Sequence, residues 1–336
     1  MNIKEVKNIL LIRNDKIGDL LLSTTFINSI KKAVPRAKIT LVVSRYAEDV
    51  MEGTALADEL LIWEEKATQE KVTGNKWEVA VALSPVSDAY KMAADSNAGI
   101  RAGIVYPERP MVNYLVKKWL NRPLLLNLRK RLSRKEKVPH EIEQLEQLAF
   151  HMGLPVFDRE MVVALNPQEV AKAEQKIQEK SRNFSGGLLG FQLSGRWLKQ
   201  DWKISQLSEL ILKLRYAFPN ALLSMFYGPQ EADLGKELYG LLKEKPGIDF
   251  YANQNFAEWA AKVKQMDLLI TPDSGGVHLA SALKVPVAAL YLASTYSLCS
   301  QQWAPWMVPN VKIKLQDFKR TCEELIAGVQ GLLKKN

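Results

Sequence analysis

The chain has 336 residues, more than one hydrophobic core usually supports, so two domains are expected. Apolar residues make up 47% and charged residues 25%, a balance that excludes a largely disordered chain. The formal net charge of +9 favours anionic partners (nucleic acid, phosphorylated sugars or an anionic membrane face) without choosing among them. The two cysteines, Cys299 and Cys322, form no Cys-x-x-Cys pair and have no Cys/His ligand spacing, which argues against a disulfide framework or zinc site and fits a reducing compartment. The apolar run over 9–12 is too short for a signal sequence or a membrane span, and no later stretch reaches span length. A cytoplasmic protein is expected, at most peripheral to a membrane.

In chain order, 8–13 (NILLIR) is a short continuous apolar run, the pattern of a buried parallel strand. A polar loop is expected over 14–19, a helix over 20–33, and strands over 38–43, 59–63 and 79–83. Strand and helix thus alternate through the first 110 residues, which predicts a doubly wound parallel sheet. The stretch 111–137 differs. It packs together Lys117, Lys118, Arg122, Arg129, Lys130, Arg131, Arg134, Lys135 and Lys137, with Trp119 and the leucines 124–126 among them. It reads as an exposed basic helix or loop, and its mix of charge and apolar residues suits a surface that meets anionic headgroups or a phosphorylated acceptor. A helix over 140–152 follows, then one from Asn166-Pro167 to about 180, broken by Ser185-Gly186-Gly187. A second α/β series begins at 188–191. Its helices fall at 204–217, 231–242, 256–264 and 277–283, and its strands at 221–226, 248–250, 267–270 and 287–291. A last helix over about 316–334 suits packing against either domain.

Two loops carry the chemistry. In TPDSGGVH, over 271–278, an apolar strand ends at a proline, and two glycines open a helix. Free amides at a helix start bind anions and glycines allow a phosphate close approach, so Ser274, Gly275 and Gly276 make a seat for a diphosphate. Asp273 would repel a phosphate it faced, so it suits a helix cap or a bond to a ribose or sugar hydroxyl. His278 falls in the first helical turn. The N-terminal loop RNDKIGD, over 13–19, has the same placement after the first strand. It lacks G-x-G-x-x-G, which counts against a dinucleotide fingerprint. Asp15 and Asp19 stand at the sheet edge where active sites gather, although on spacing alone helix capping is the favoured reading.

Both segments resemble glycosyltransferase family nine, the bacterial heptosyltransferases of lipopolysaccharide core assembly. LLIRNDKIGDL, over 10–20, is similar to that family's strand followed by Gly-Asp, and DSGGVHLASA, over 273–282, to its Asp-(Thr/Ser)-Gly-x-x-His-x-Ala-x-Ala. More weakly, 97–104 (NAGIRAGI) resembles the family's glycine-rich turn before the acceptor region, and His140-Glu141 its His-containing segment. The resemblance implies a GT-B fold, an α/β architecture of two Rossmann-like doubly wound domains facing across a cleft. It implies an acceptor-binding domain over 1–170 and a nucleotide-sugar-binding domain over 171–336. It makes Asp19 the general base and Asp15 a second candidate, with Gly18, Lys117, Lys118, Arg122, Arg129 and His140 on the acceptor side. It places Lys199, Ser194 and Arg196 at the phosphates, Glu231 at the ribose, and Asp273, Ser274, Gly275, Gly276 and His278 around the donor. Trp202 lies three residues after Lys199 where relatives usually have two. No Asp-x-Asp motif occurs, which fits a metal-independent enzyme with no cofactor. The implied partners are an ADP-sugar donor and an anionic lipid-linked acceptor at the inner membrane, with no nucleic acid. A different donor or acceptor (protein heptosylation, for example) would leave the same donor motifs. A non-catalytic nucleotide- or nucleic-acid-binding Rossmann protein is a third expectation, supported by charge alone.

Overall fold

The computed structural model describes residues 5–107 and 110–334. The chain divides into two compact units, 1–164 and 165–336. The first contains β1 (Asn8–Arg13), α1 (Ile17–Ala33), β2 (Lys38–Val43), β3 (Glu59–Ile62), α2 (Lys66–Gly74), β4 (Val79–Ala82), α3 (Ser87–Asp95), β5 (Ile100–Val105), α4 (Pro110–Trp119), β6 (Arg122–Leu125), α5 (Leu128–Ser133) and α6 (Glu141–His151). The second contains α7 (Pro167–Ser181), β7 (Leu188–Gln192), α8 (Ile204–Ala217), β8 (Leu222–Tyr227), α9 (Ala232–Leu242), β9 (Ile248–Ala252), α10 (Phe256–Lys264), β10 (Leu268–Pro272), α11 (Gly275–Ala282), β11 (Val287–Leu292), α12 (Tyr296–Gln302), β12 (Asn310–Leu315) and α13 (Phe318–Leu333).

Each unit has one parallel six-stranded sheet. The orders are β3-β2-β1-β4-β5-β6 and β12-β11-β10-β7-β8-β9. Read from its own first strand, each follows the doubly wound pattern: the chain moves outward to one edge, then returns to the other side of the first strand. The crevice where the order reverses lies between β1 and β4 in the first unit and between β7 and β10 in the second. The continuous apolar runs are explained by burial on both faces. Leu10, Ile12, Val42 and Ala80 share a core in the first unit, and Leu189, Phe191, Leu223 and Ile270 in the second. The α7 helix packs on α10 and buries Ala173 and Ile177. The last helix adds Leu325 and Val329 to the second unit's core, beside Leu210 and Leu214 of α8.

Several elements differ from expectation, each for a local reason. The first helix begins at Ile17, so Gly18 and Asp19 lie in its first turn and only three residues, Asn14 to Lys16, remain as loop. The stretch 97–104 is mostly β5 and not a turn. A Cβ on Gly103 would stand 2.8 Å from the Ala82 carbonyl oxygen, so close strand packing accounts for that glycine. The basic stretch contains β6, a sheet-edge strand, between two helices; Lys117 and Lys118 end α4, Arg122 opens β6 and Arg129 lies on α5. A 3-10 turn, Pro229–Glu231, precedes α9, which therefore starts one residue later than the pattern suggests.

Candidate functional site

At the β1–β4 crevice the first unit holds a buried charged cluster. Arg13 ends β1, and its side chain is 1% exposed. Its guanidinium donates to the Leu83 carbonyl just after β4 and to Glu141 Oε1 at 3.2 Å. It also faces Asp15 Oδ1 at 3.0 Å and Asp19 Oδ1 at 3.4 Å. One guanidinium therefore serves three carboxylates. Burial works against its charge, but Asp15, Asp19 and Glu141 together outweigh that effect and hold its pKa above the ordinary value. Burial pushes the Asp15 carboxyl up to about 6; Arg13 opposes the rise, while Asp19 and Glu141 add to it. Asp15 and Asp19 remain 24% and 28% exposed and can reach a ligand, whereas Glu141, at 5%, cannot.

The loop and helix that present this cluster are fixed by hydrogen bonds. The Asn14 amide donates to Ser84 Oγ at 3.0 Å, and Ser44 Oγ donates to the Asp15 carbonyl at 2.8 Å. Glu141 opens α6, whose cap is His140. The His140 Nδ1 accepts from the Ile142 amide at 3.1 Å, and Glu143 Oε2 accepts from the His140 amide at 2.7 Å. This reciprocal capping satisfies amides that a helix start leaves open. Burial enters before the lysine and the amide in the Glu143 carboxyl's balance, but the His140 amide and Lys137 prevail and lower its pKa. His140 is thus buried with its ring engaged in the cap. Lys117, Lys118, Arg122 and Arg129 are exposed.

In the second unit, the β7–β10 crevice gathers residues from two loops. Ser194 caps the 3-10 turn Gly195–Gln200, its Oγ accepting from the Arg196 amide at 3.3 Å. Arg196 Nη1 reaches across to Asp273 Oδ2 at 3.1 Å. This neutralises much of the charge that would repel a phosphate at Asp273. Ser274, not Asp273, caps α11, its Oγ accepting from the Gly276 amide at 3.3 Å and lying 3.0 Å from Thr271 Oγ1. Serine has the cap position because its short side chain reaches back to the first-turn amides while Asp273 is held by Arg196. A Cβ on Gly276 would stand 2.8 Å from Thr271 Oγ1, so only glycine fits without a shift. Gly275 and Gly276 open the helix and His278 is buried behind them. Burial raises the Glu231 carboxyl at the start of α9. Lys199 is exposed on the 3-10 turn.

Arg13, Glu141 and Gln192 belong to these sites although the sequence assigned them no role. Gln192 ends β7; its amide donates to the Leu193 carbonyl at 3.0 Å, and its buried Oε1 has no hydrogen-bond partner among the described residues. Its Cγ lies 3.5 Å from where a Gly276 Cβ would be. A polar residue closing an otherwise apolar strand at the crevice is the signal that could have found Arg13 and Gln192. Among the described residues, no three of His, Cys, Asp and Glu converge so as to hold a metal ion. No described helix is long and apolar enough to cross a membrane.

The sequence profile of glycosyltransferase family 9 (heptosyltransferase) matches residues 110–325. The fold is similar to the crystal structure of a glycosyltransferase of family 9 from Veillonella parvula, 17% identical, covering 100% of this chain and 99% of that one with a TM-score of 0.78. It is similar to the E. coli ADP-heptose lipopolysaccharide heptosyltransferase II, 17% identical over 98% and 99% of the two chains, TM-score 0.72. It is also similar to E. coli heptosyltransferase WaaC with ADP, 16% identical over 98% and 97%, TM-score 0.66. These structural likenesses establish a two-domain α/β fold of the GT-B type.

Proposed function

The chain belongs to glycosyltransferase family 9, and from that premise we propose that it transfers heptose from ADP-heptose to the lipid A–inner core of lipopolysaccharide, inverting the anomeric carbon without a metal ion. The observation that carries this reading is the diphosphate seat at the end of β10. There a capped helix start, a glycine with no room for a side chain and the Arg196–Asp273 pair meet in one crevice. ADP in a structure of a similar fold supports the choice of nucleotide.

The second unit takes the donor. Amides of Ser274 and Gly275 and the Ser194 hydroxyl hold the diphosphate, Gly276 lets it come close, and Arg196 and Lys199 balance its charge as it departs. Glu231 binds the ribose and Asp273 a sugar hydroxyl; His278 supports the seat from beneath. The first unit takes the acceptor. Asp19 accepts the proton of the acceptor hydroxyl as that oxygen bonds to the anomeric carbon. The bond from that carbon to the diphosphate breaks, and its electron pair leaves with ADP. Asp15 in the loop before α1 and Gly18 in that helix's first turn flank Asp19. Lys117, Lys118, Arg122 and Arg129 meet acceptor phosphates and the anionic inner leaflet, which puts the protein at the cytoplasmic face of the inner membrane. His140 serves the acceptor side by capping the helix that carries Glu141.

Incubation with ADP-heptose and a heptose-free lipid A–core acceptor, read by mass spectrometry, tests the reaction. One added heptose is expected. Asp19→Asn should lower kcat by about 100-fold or more with donor affinity unchanged. Full activity in that variant removes Asp19 as the base; heptose found only on protein substrates moves the acceptor assignment to a protein.

A further inference from the structure

The chain's positive charge is concentrated in one stretch. Residues 111–137 hold nine lysines and arginines against a single acid, Glu136, a net +8 where the whole chain has +9. Strand register sorts these cations along the first sheet. Through β4 and β5, Pro123 of β6 is level with Ile12 of β1. Leu125, two residues on, is therefore level with Asn14, at the sheet edge that carries Asp15 and Asp19. Three strand spacings separate it from β1, about 15 Å. Arg122 is level with Leu11, about 10 Å back from that edge. The densest group, Arg129, Lys130, Arg131, Arg134 and Lys135, follows Leu125 on α5 and just after it.

An edge strand needs charge to keep it from pairing with another chain, which accounts for Arg122. It does not account for α5, which is no strand, or for leucine among the cations. Leu125 is 62% exposed, and Leu124 and Leu132 are half-buried, while Leu128 is buried and ties α5 to the unit. Glu136 lies 4.0 Å from Arg131 and 3.9 Å from Arg134, too far and too shared to offset the group. Clustered cations with an exposed apolar side chain suit an anionic bilayer. The cations meet headgroup phosphates, and the leucine enters the boundary with the acyl chains. A nucleic acid would use the cations and leave the leucine in water.

We propose that the end of β6 and α5 dock the first unit on an anionic lipid surface, with Leu125 entering the bilayer interface and Lys130, Arg134 and Lys135 meeting headgroup phosphates. This rests on the reading that the basic stretch meets a membrane, and narrows it to one sheet edge and one apolar contact. An acceptor held in that bilayer then presents its sugars along the edge where Asp15 and Asp19 stand.

Sedimentation with mixed phosphatidylcholine–phosphatidylglycerol vesicles tests this with no donor or acceptor present, so the outcome does not depend on whether heptose is transferred. The protein should bind these vesicles and not pure phosphatidylcholine ones, and salt should weaken the binding. The triple variant Lys130→Gln, Arg134→Gln, Lys135→Gln should lower vesicle affinity at least tenfold, and more than Lys117→Gln, Lys118→Gln, Arg122→Gln does. Leu125→Ser should lower it about fivefold, by the same factor at high salt, because apolar burial is not screened. Circular dichroism and ADP binding should be unchanged in the first triple variant and in Leu125→Ser, which separates lost docking from lost folding. Equal binding to neutral vesicles, or a first triple variant that binds as well as the second, overturns the proposal. So does unchanged affinity in Leu125→Ser, or tighter binding of single-stranded RNA that the first triple variant loses.

Discussion

Asp15 and Asp19 lie four residues apart and face the same buried guanidinium, yet the structure gives them different surroundings. Burial lifts Asp15 to about 6. A carboxyl raised in the folded state favours folding when protonated. Its contribution is fully present below about pH 4 and is lost as the pH rises through about 6. The loss amounts to about 2–3 kcal/mol for a shift of this size. Carboxylates with lowered values, such as Glu59, held down by Lys71 and Lys38, act in the opposite sense, so the informative quantity is a difference between proteins. Asp15→Asn should gain stability relative to the wild type as the pH goes from 4 to 7, measured by denaturant unfolding at each pH. A difference that stays flat, or favours the wild type at pH 7, would mean that Arg13 wins over burial at Asp15. The Arg196–Asp273 pair applies the same logic in the second unit: a carboxylate tolerable beside a phosphate is one already partnered.

At the scale of elements, the helix starts do most of the positioning. Both crevices place a helix start within a few residues of a strand end. The α6 helix adds a cap made by histidine, a residue not usually favoured there. Losing it in His140→Ala should cost about 1 kcal/mol in unfolding free energy. Unchanged stability would show that the turn is held without the cap. Much of this was legible in the sequence. Strands 38–43 and helices 204–217 and 256–264 fall where the apolar patterns put them, since buried parallel strands and one-faced helices leave plain periodicities. Gly-Asp and Asp-Ser-Gly-Gly marked the two crevices. What escaped depends on distant neighbours. Gly103 reads as a turn residue until Ala82 is seen beside it, and β6 is hidden by exposed arginine and leucine on a sheet edge. Glu141, read there only as the neighbour of His140, has no role of its own until the fold brings it to Arg13.

For the molecule as a whole, each unit repeats one topology and places its polar residues at the same reversal of strand order, where doubly wound sheets bind ligands. Under the proposed function that repetition divides the work, with carboxylates gathered in the first unit and the proposed diphosphate seat in the second. It also makes the proposed seat separable from the carboxylate cluster by mutation. Gly276→Ala sets a methyl group against Thr271 and should weaken donor binding at least tenfold while leaving the Asp15–Asp19–Glu141 cluster as it is. The most direct measurement is calorimetric titration of the purified protein with ADP-heptose, UDP-sugars and GDP-sugars, with Gly276→Ala alongside. The account predicts that ADP-heptose binds at least about tenfold tighter than the others, a difference of about 1.4 kcal/mol, and that the glycine variant loses that affinity. Absence of ADP-heptose binding, or tighter binding of a UDP- or GDP-sugar, would contradict it.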